Sequence, residues 1–358
     1  MTDFDIVHRR LHNQSIAPAA LATPGEVVTR LGAVQAQDYL GALWAVGLRM
    51  KGATEQTIEQ AISDRKIIRT WPMRGTLHFV APEDVRWMLA LLAPRIIARA
   101  ARRHKQLELD AAIFARSEAL FTKALQGGKQ LTRAEMMDVL EQAGISTKGQ
   151  RGYHILWWAA QSGLICFGPR QGKQDTFLLL DDWLPEGKTL SREEALAELA
   201  YRYFTGHGPA TIQDFRWWSG LLAVDARAGL KMVEAQLAHE EFDGQIYWFS
   251  SSLSSIKAAS PTAYLLPGFD EYLLGYRDRT AALDSAHATK VVPGANGMFK
   301  PIIVIDGRVV GTWKRTFKKD RVVIALQPFN ALSEAEAQAV APAAECYGVF
   351  VNLPVAML

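Results

Sequence analysis

Residues 66–81 read KIIRTWPMRGTLHFVA. KIIRTW and GTLHFVA are runs rich in β-branched and aromatic residues, joined by a short turn at 72–74, which is a hairpin pattern. Helical signals precede it. A helix is expected near residues 3–13, another from Pro24, and a third around 54–65, with the apolar stretch ALWAVGLRM (42–50) between the last two. Thr23, Pro24 and Glu26 supply an N-cap, a first-turn proline and a capping acid for the second helix. Three helices followed by a hairpin is the order of a winged helix.

The same order recurs twice. FARSEALFTKAL, RAEMMDVLEQAG and GYHILWWAAQSGL are followed by LICFG and DTFLLLDDW around a polar tip at 169–174. A third series starts at a Ser191–Glu194 capping box, continues through IQDFRWWSGL and DARAGLKMVEAQLA, and ends in EEFDG and QIYWFS. Thr132 with Glu135, and Thr211 with Asp214, mark further helix starts. The Ser-rich stretch 253–267 reads as a linker. Beyond it the texture turns to β: AYLLPGF, KPIIVID, RVVGTWKR across an Asp306-Gly307 turn, and DRVVIALQPF, with a last helix over 333–344. The expected fold is α+β, three tandem winged helices followed by a β-barrel-like domain. The expected boundaries are 1–110 (with a linker helix), 111–190, 191–260 and 261–358.

Composition limits the function classes. Forty Lys+Arg against 37 Asp+Glu leave a charge of +3, and 49% hydrophobic with 22% charged residues is globular. Residues 1–18 lack the apolar core of a signal peptide, so a cytoplasmic, non-membrane protein is expected. The two cysteines, Cys166 and Cys346, are far apart without metal-ligand spacing, and read as buried thiols. No cofactor or metal is expected.

Any nucleic-acid footprint must therefore be local. The first series' third helix carries Glu55, Glu59 and Asp64, which would repel phosphate in a major groove. Cations gather elsewhere. Arg69, Arg74 and His78 belong to the first hairpin, Arg95, Arg99, Arg102, Arg103, His104 and Lys105 to the helix after it, and Lys314, Arg315, Lys318, Lys319 and Arg321 to a late hairpin. Each group suits phosphate contact or a solvated face. His78 also suits a structural histidine. Trp71 and the pairs Trp157-Trp158 and Trp217-Trp218 read as core.

Catalytic motifs are sparse: no G-x-S-x-G, P-loop, H-E-x-x-H or G-x-G-x-x-G occurs. Gln35 and Gln37, between a helix and an apolar run, share a face if the backbone there is extended, with Asp38 turned away. On their own they also suit polar residues at a helix end. Asp270, Glu271, Arg277, Asp278 and Arg279 are dense enough for an ion-pair network joining the β-rich end to the helices.

Four segments in this order, VQAQDYLGALWAVGLR (34–49), RTWPMRGTLHFV (69–80), LLPGFDEYLLGYRDR (265–279) and GMFKPIIVIDGRVVGTWKR (297–315), resemble the winged-helix DNA glycosylases of the AlkZ and YcaQ type. The likeness spans essentially the whole chain. It implies the tandem winged-helix and barrel fold, and excision of N7-alkylated purines, including the unhooking of interstrand crosslinks. The AlkZ branch carries a catalytic Gln-x-Gln, which Gln35-Ala36-Gln37 matches. Asp38 lies one place beyond the carboxylate of the Gln-x-Asp branch and takes no role from it.

An N7-alkylated purine is already a cationic leaving group, so little acid catalysis is needed. A glutamine amide can orient a water but cannot remove its proton. The expected enzyme is a monofunctional hydrolase without a Schiff-base lysine, acting as a monomer on alkylated double-stranded DNA. The competing reading is a non-enzymatic winged-helix DNA-binding protein or regulator. It would require sequence-selective binding, which the acidic helix disfavours, and no heptad repeat suggests the dimer such a reader would use.

Overall fold

A computed structural model describes residues 1–184, 187–251, 261–295 and 297–358. Two compact units emerge. One is Met1–Ile58 with Leu196–Leu358, and the other is Glu59–Ala195.

In the first stretch, α1 (Asp3–Asn13), α2 (Pro24–Leu31), the two-residue strand β1 (Val34–Gln35), α3 (Tyr39–Gly47) and α4 (Glu55–Ser63) follow one another. Thr2 and Asp5 form a reciprocal cap on α1, and the Thr23 hydroxyl accepts from the Glu26 amide on α2. The apolar stretch after β1 is therefore helical, and α3 is buried along nearly its full length.

The second unit contains β2 (Ile68–Met73), β3 (Thr76–Val80), α5 (Val85–Gln106), α6 (Ala111–Leu125), β4 (Leu131–Thr132), α7 (Arg133–Gln142), α8 (Arg151–Gln161), β5 (Ile165–Phe167), β6 (Thr176–Leu179) and α9 (Leu180–Trp183). Both predicted hairpins form, and they merge. Their strands run β3-β2-β5-β6-β4, with Arg69 of β2 opposite Phe167 of β5. Trp71, Phe121, Met136, Ile155, Trp157, Phe167 and Phe177 share the core beneath.

The chain then forms α10 (Arg192–His207), α11 (Ile212–Ser219), α12 (Ala223–Val233), β7 (Leu237–Phe242) and β8 (Gln245–Ser250). Predicted helices and hairpin again appear in order. Residues 253–260 of the expected linker lie outside the described residues, but its end is strand, β9 (Ala263–Leu266). Ala263, Leu265 and Leu266 of that strand are buried, which the serine-rich start of the stretch concealed.

After β9 come α13 (Glu271–Leu274), α14 (Ala288–Val291), β10 (Ile302–Ile305), β11 (Arg308–Phe317), β12 (Val322–Pro328), α15 (Glu334–Val351) and β13 (Val355–Met357). The β10–β11 turn has positive φ at both Asp306 (47°) and Gly307 (80°), the geometry a tight hairpin of this twist requires. The sheet order is β13-β12-β11-β10-β9, with β9 and β13 at its edges among the described residues, so the sheet fits the expected barrel-like domain loosely, as a half-barrel. On α15, Tyr347 meets Trp313 and Trp44 edge-on at 5.2 Å each. That helix runs past the predicted end at 344.

The unit boundary falls inside α4, between the helices of the first series and its hairpin. Two burial readings change. Cys166 is buried, but Cys346 is exposed on the outer face of α15. Trp71, Trp157 and Trp218 are core, whereas Trp217 is 44% exposed, its indole N–H donating to the Leu274 carbonyl.

Gly47 ends α3 where a Cβ would run into the Phe350 ring. Gly→Ala in a helix ordinarily gains about 1 kcal/mol. Here overpacking opposes that gain with about 1–3 kcal/mol. Gly47→Ala is expected to lower the thermal midpoint, measured by circular dichroism.

Candidate active site

Gln35 closes β1 and is 7% exposed. The chain bends at residues 37–38 before α3, so the extended backbone stops short and the two amides do not share an environment: Gln35 is inside and Gln37 is exposed. Asp38 is the N-cap of α3 but makes no side-chain cap bond. Its carboxylate instead lies 3.5 Å from the Arg315 guanidinium, which places β11 and its cations beside the Gln-x-Gln turn. Lys314, the next residue on that strand, is exposed.

Two carboxylates hold the segment from below. Asp270 caps α13 and forms a two-pronged ion pair with Arg49, both contacts 2.9 Å. Arg49 is 0% exposed, and its remaining N–H groups reach the Gln14 side chain, the Gln14 carbonyl and the Ala45 carbonyl. Glu271, also 0% exposed, accepts the Gln35 backbone N–H at 3.3 Å and the Trp218 indole N–H at 2.9 Å. His207 Nε2 stands 3.2 Å from the same carboxylate. Residues 35 and 49 are thus both tied to successive side chains of the LLPGFDEYLLGYRDR segment.

Two tryptophans complete the join. The Trp44 indole N–H donates to Leu265 at 2.7 Å, and that of Trp313 donates to Leu266 at 2.8 Å. Three of the four segments singled out in the sequence therefore interlock within one unit. A family model described as DNA glycosylase AlkZ-like matches residues 28–350, and so spans these three segments. The chain belongs to the AlkZ-like DNA glycosylase family.

This AlkZ-like chain is 27% identical over 332 residues to an interstrand DNA cross-link repair glycosylase from Streptomyces sahachiroi, covering 85% of each. Among solved structures it is similar to the Streptomyces sahachiroi DNA glycosylase AlkZ, with a TM-score of 0.83, 25% identity and 100% of both chains covered. Membership in a glycosylase family sets the non-enzymatic regulator aside.

The remaining sequence-predicted contacts fall in the other unit of this AlkZ-like chain. Arg69 and His78 are inside rather than on the surface, at 5% and 0% exposure. The Arg69 guanidinium pairs with Asp175 at 2.9 Å and lies over the Phe167 ring, because β2 is an inner strand of the merged sheet. His78 Nδ1 lies 2.9 Å from the Thr76 carbonyl, and its Nε2 lies 3.1 Å from Arg74. Arg74 is half-buried at the hairpin turn, with φ of 55°. Arg99, Arg102 and Arg103 are exposed along α5, whereas His104 of the same expected cluster is buried against Phe114.

The charges of the Asp270–Arg279 cluster lead one to expect an ion-pair network. That holds for Asp270, but Glu271 faces the Gln-x-Gln turn. Its only sequence signal was an acid adjoining another acid inside an otherwise apolar segment. Arg277 and Asp278 instead donate their backbone N–H groups to the buried Asp214 carboxylate, at 2.9 and 3.1 Å.

Burial, reinforced by the neighbouring Arg74 charge, holds the His78 pKa well below its ordinary 6.5. The unfolded chain then takes up a proton that the folded chain refuses, so stability falls as pH drops below about 6.5. The slope is about 1.4 kcal/mol per pH unit for one such group. Urea midpoints between pH 7 and 5 should fall less steeply in His78→Gln than in the parent. Asp270→Ala would leave the Arg49 guanidinium buried without its carboxylate and is expected to cost about 3–5 kcal/mol in the same measurement.

Proposed function

We propose that this AlkZ-like chain is a monofunctional DNA glycosylase that hydrolyses the N-glycosidic bond of N7-alkylated purines, including purines joined in interstrand crosslinks. Gln35 and Gln37 place the water and stabilise the developing sugar cation. The observation that carries this reading is the Gln-x-Gln turn, held between a buried carboxylate and the basic strand β11. The crosslink-repair name of the Streptomyces sahachiroi relative supports the substrate class.

The chemistry follows from the lesion. Alkylation at N7 puts a positive charge on the base, so the bond to C1′ breaks with charge building on the sugar, and the base leaves as a neutral molecule. A neutral amide offers one carbonyl acceptor and two N–H donors. It can hold water near C1′ and turn a lone pair toward the sugar without presenting a base that phosphates would repel. Fixing that water is worth rate because orientation is settled before reaction.

A base bonded to the opposite strand cannot swing freely into a deep pocket. The exposure of Gln37 suits attack on a nucleotide that stays in the duplex. Lys314 and Arg315 are the phosphate contacts proposed beside it, with Arg99, Arg102 and Arg103 of α5 as a second basic surface. Arg74 keeps a place at the hairpin turn. The helix-and-hairpin order of the three series supports tandem winged helices as the scaffold, and the proposed enzyme acts as a monomer on double-stranded DNA.

Duplex DNA containing N7-methylguanine tests the reading by measurement of released base. The expected result is release by the parent protein and a loss of about 100-fold or more in a Gln35→Ala, Gln37→Ala double variant, the size that mispositioned reactants cost. Full activity in the double variant would sink the role given to the pair.

A further inference from the structure

Glu271 is a carboxylate placed where an apolar residue would be cheaper. Taking a carboxylate out of water costs several kcal/mol unless its lone pairs are met by donors. Here they are met from three directions: the backbone of Gln35, the indole of Trp218 on α11, and His207 at the end of α10. Trp218 and His207 are themselves 0% exposed.

His207 adds a directional element. Its ring stacks on Tyr203 with centroids 4.8 Å apart, and its Nδ1 has no hydrogen-bond partner among the described residues, so its one polar contact is the Glu271 carboxylate. That contact favours the tautomer with the proton on Nε2. An acceptor-only group surrounded by donors in this way has one orientation.

We infer that Glu271 is a positioning residue for the glycosylase site: it tethers the backbone at Gln35 and so sets where the amides of Gln35 and Gln37 stand. The inference rests on the proposed role of those two glutamines. Glu271 is out of reach of DNA and touches no reacting atom. It acts through the turn, whose exposed Gln37 is carried by a backbone fixed two residues earlier. Sites of this kind tolerate about 0.5 Å of misplacement, which is the reason for supporting them from a buried shell.

The second anchor, Arg49 to Asp270, lies at the far end of α3 and leaves the turn itself to Glu271. Hence the two acids have separable effects. Loss of Asp270 destabilises the unit, while loss of the Glu271 charge displaces the turn.

Glu271→Gln keeps the shape of the side chain but turns an N–H toward one of the three donors. The experiment is single-turnover release of N7-methylguanine from a duplex, with affinity for the same duplex and hydrogen exchange of the peptide containing Gln35 measured in parallel. The excision rate is expected to fall about 10- to 100-fold with DNA affinity unchanged and faster exchange at Gln35. Should Glu271→Gln not fold, Trp218→Phe removes one donor while keeping an aromatic ring in the core, and a slower rate at unchanged affinity is again expected. A parent-like rate in either folded variant overturns the inference, as does a parallel loss of rate, affinity and thermal midpoint. A parent protein that releases no base overturns the glycosylase reading, and this inference with it.

Discussion

Asp270 and Glu271 are adjacent carboxylates at 3% and 0% exposure, and the unit that holds them is arranged around meeting their demands. Asp270 demands a cation, and Arg49 is delivered to it by the far end of α3. Glu271 receives N–H donors from β1, α10 and α11. Residues far apart in sequence must converge on two side chains before either is tolerable inside. This is a stricter requirement than apolar packing, which accepts many arrangements of similar volume. The carboxylates thereby determine how β1 and α3 sit against the β9–α13 segment.

Charge is used in two ways that the net value of +3 conceals. Arg49, Arg10 and Arg69 are buried and serve internal acids, carbonyls or rings. Arg99, Arg102 and Arg103 on α5, and Lys314, Lys318, Lys319 and Arg321 around the β11–β12 turn, are exposed. Only the second group can exchange condensed counterions for contacts with phosphate. A basic residue beside a turn in sequence says nothing about which group it joins. That depends on whether its strand is inner or edge, and in β2 the strand is inner because a second hairpin pairs with it.

What was legible in the sequence is what is decided locally. Caps at Thr132, Ser191 and Thr211 all form with their acids three residues on, since both partners lie within one turn. The Asp306-Gly307 turn forms for the same reason. The Gln-x-Gln segment was visible through its resemblance to a family, and its neighbourhood to β11 was not, because the Asp38–Arg315 contact spans 277 residues. Merging of the two hairpins, the pairing order of the last sheet, the exposed Trp217 and the contacts of Glu271 are long-range outcomes of this type. Periodicity assigns a tryptophan to a face, but only the partner element decides whether that face is covered.

The acids near the turn also fit the proposed chemistry by where they are kept. An uncompensated carboxylate facing a DNA backbone would raise the energy of every approach, through unscreened repulsion over distances near the Debye length. Glu271 is shut away behind the Gln35 backbone, and Asp38, with 42% of its side chain exposed, stands 3.5 Å from Arg315. The surface proposed to meet phosphate is therefore amide and cation. A reaction whose leaving group carries its own positive charge has no need of a strong base, so neutral amides suffice for the water. The carboxylate is free to serve from beneath, as support.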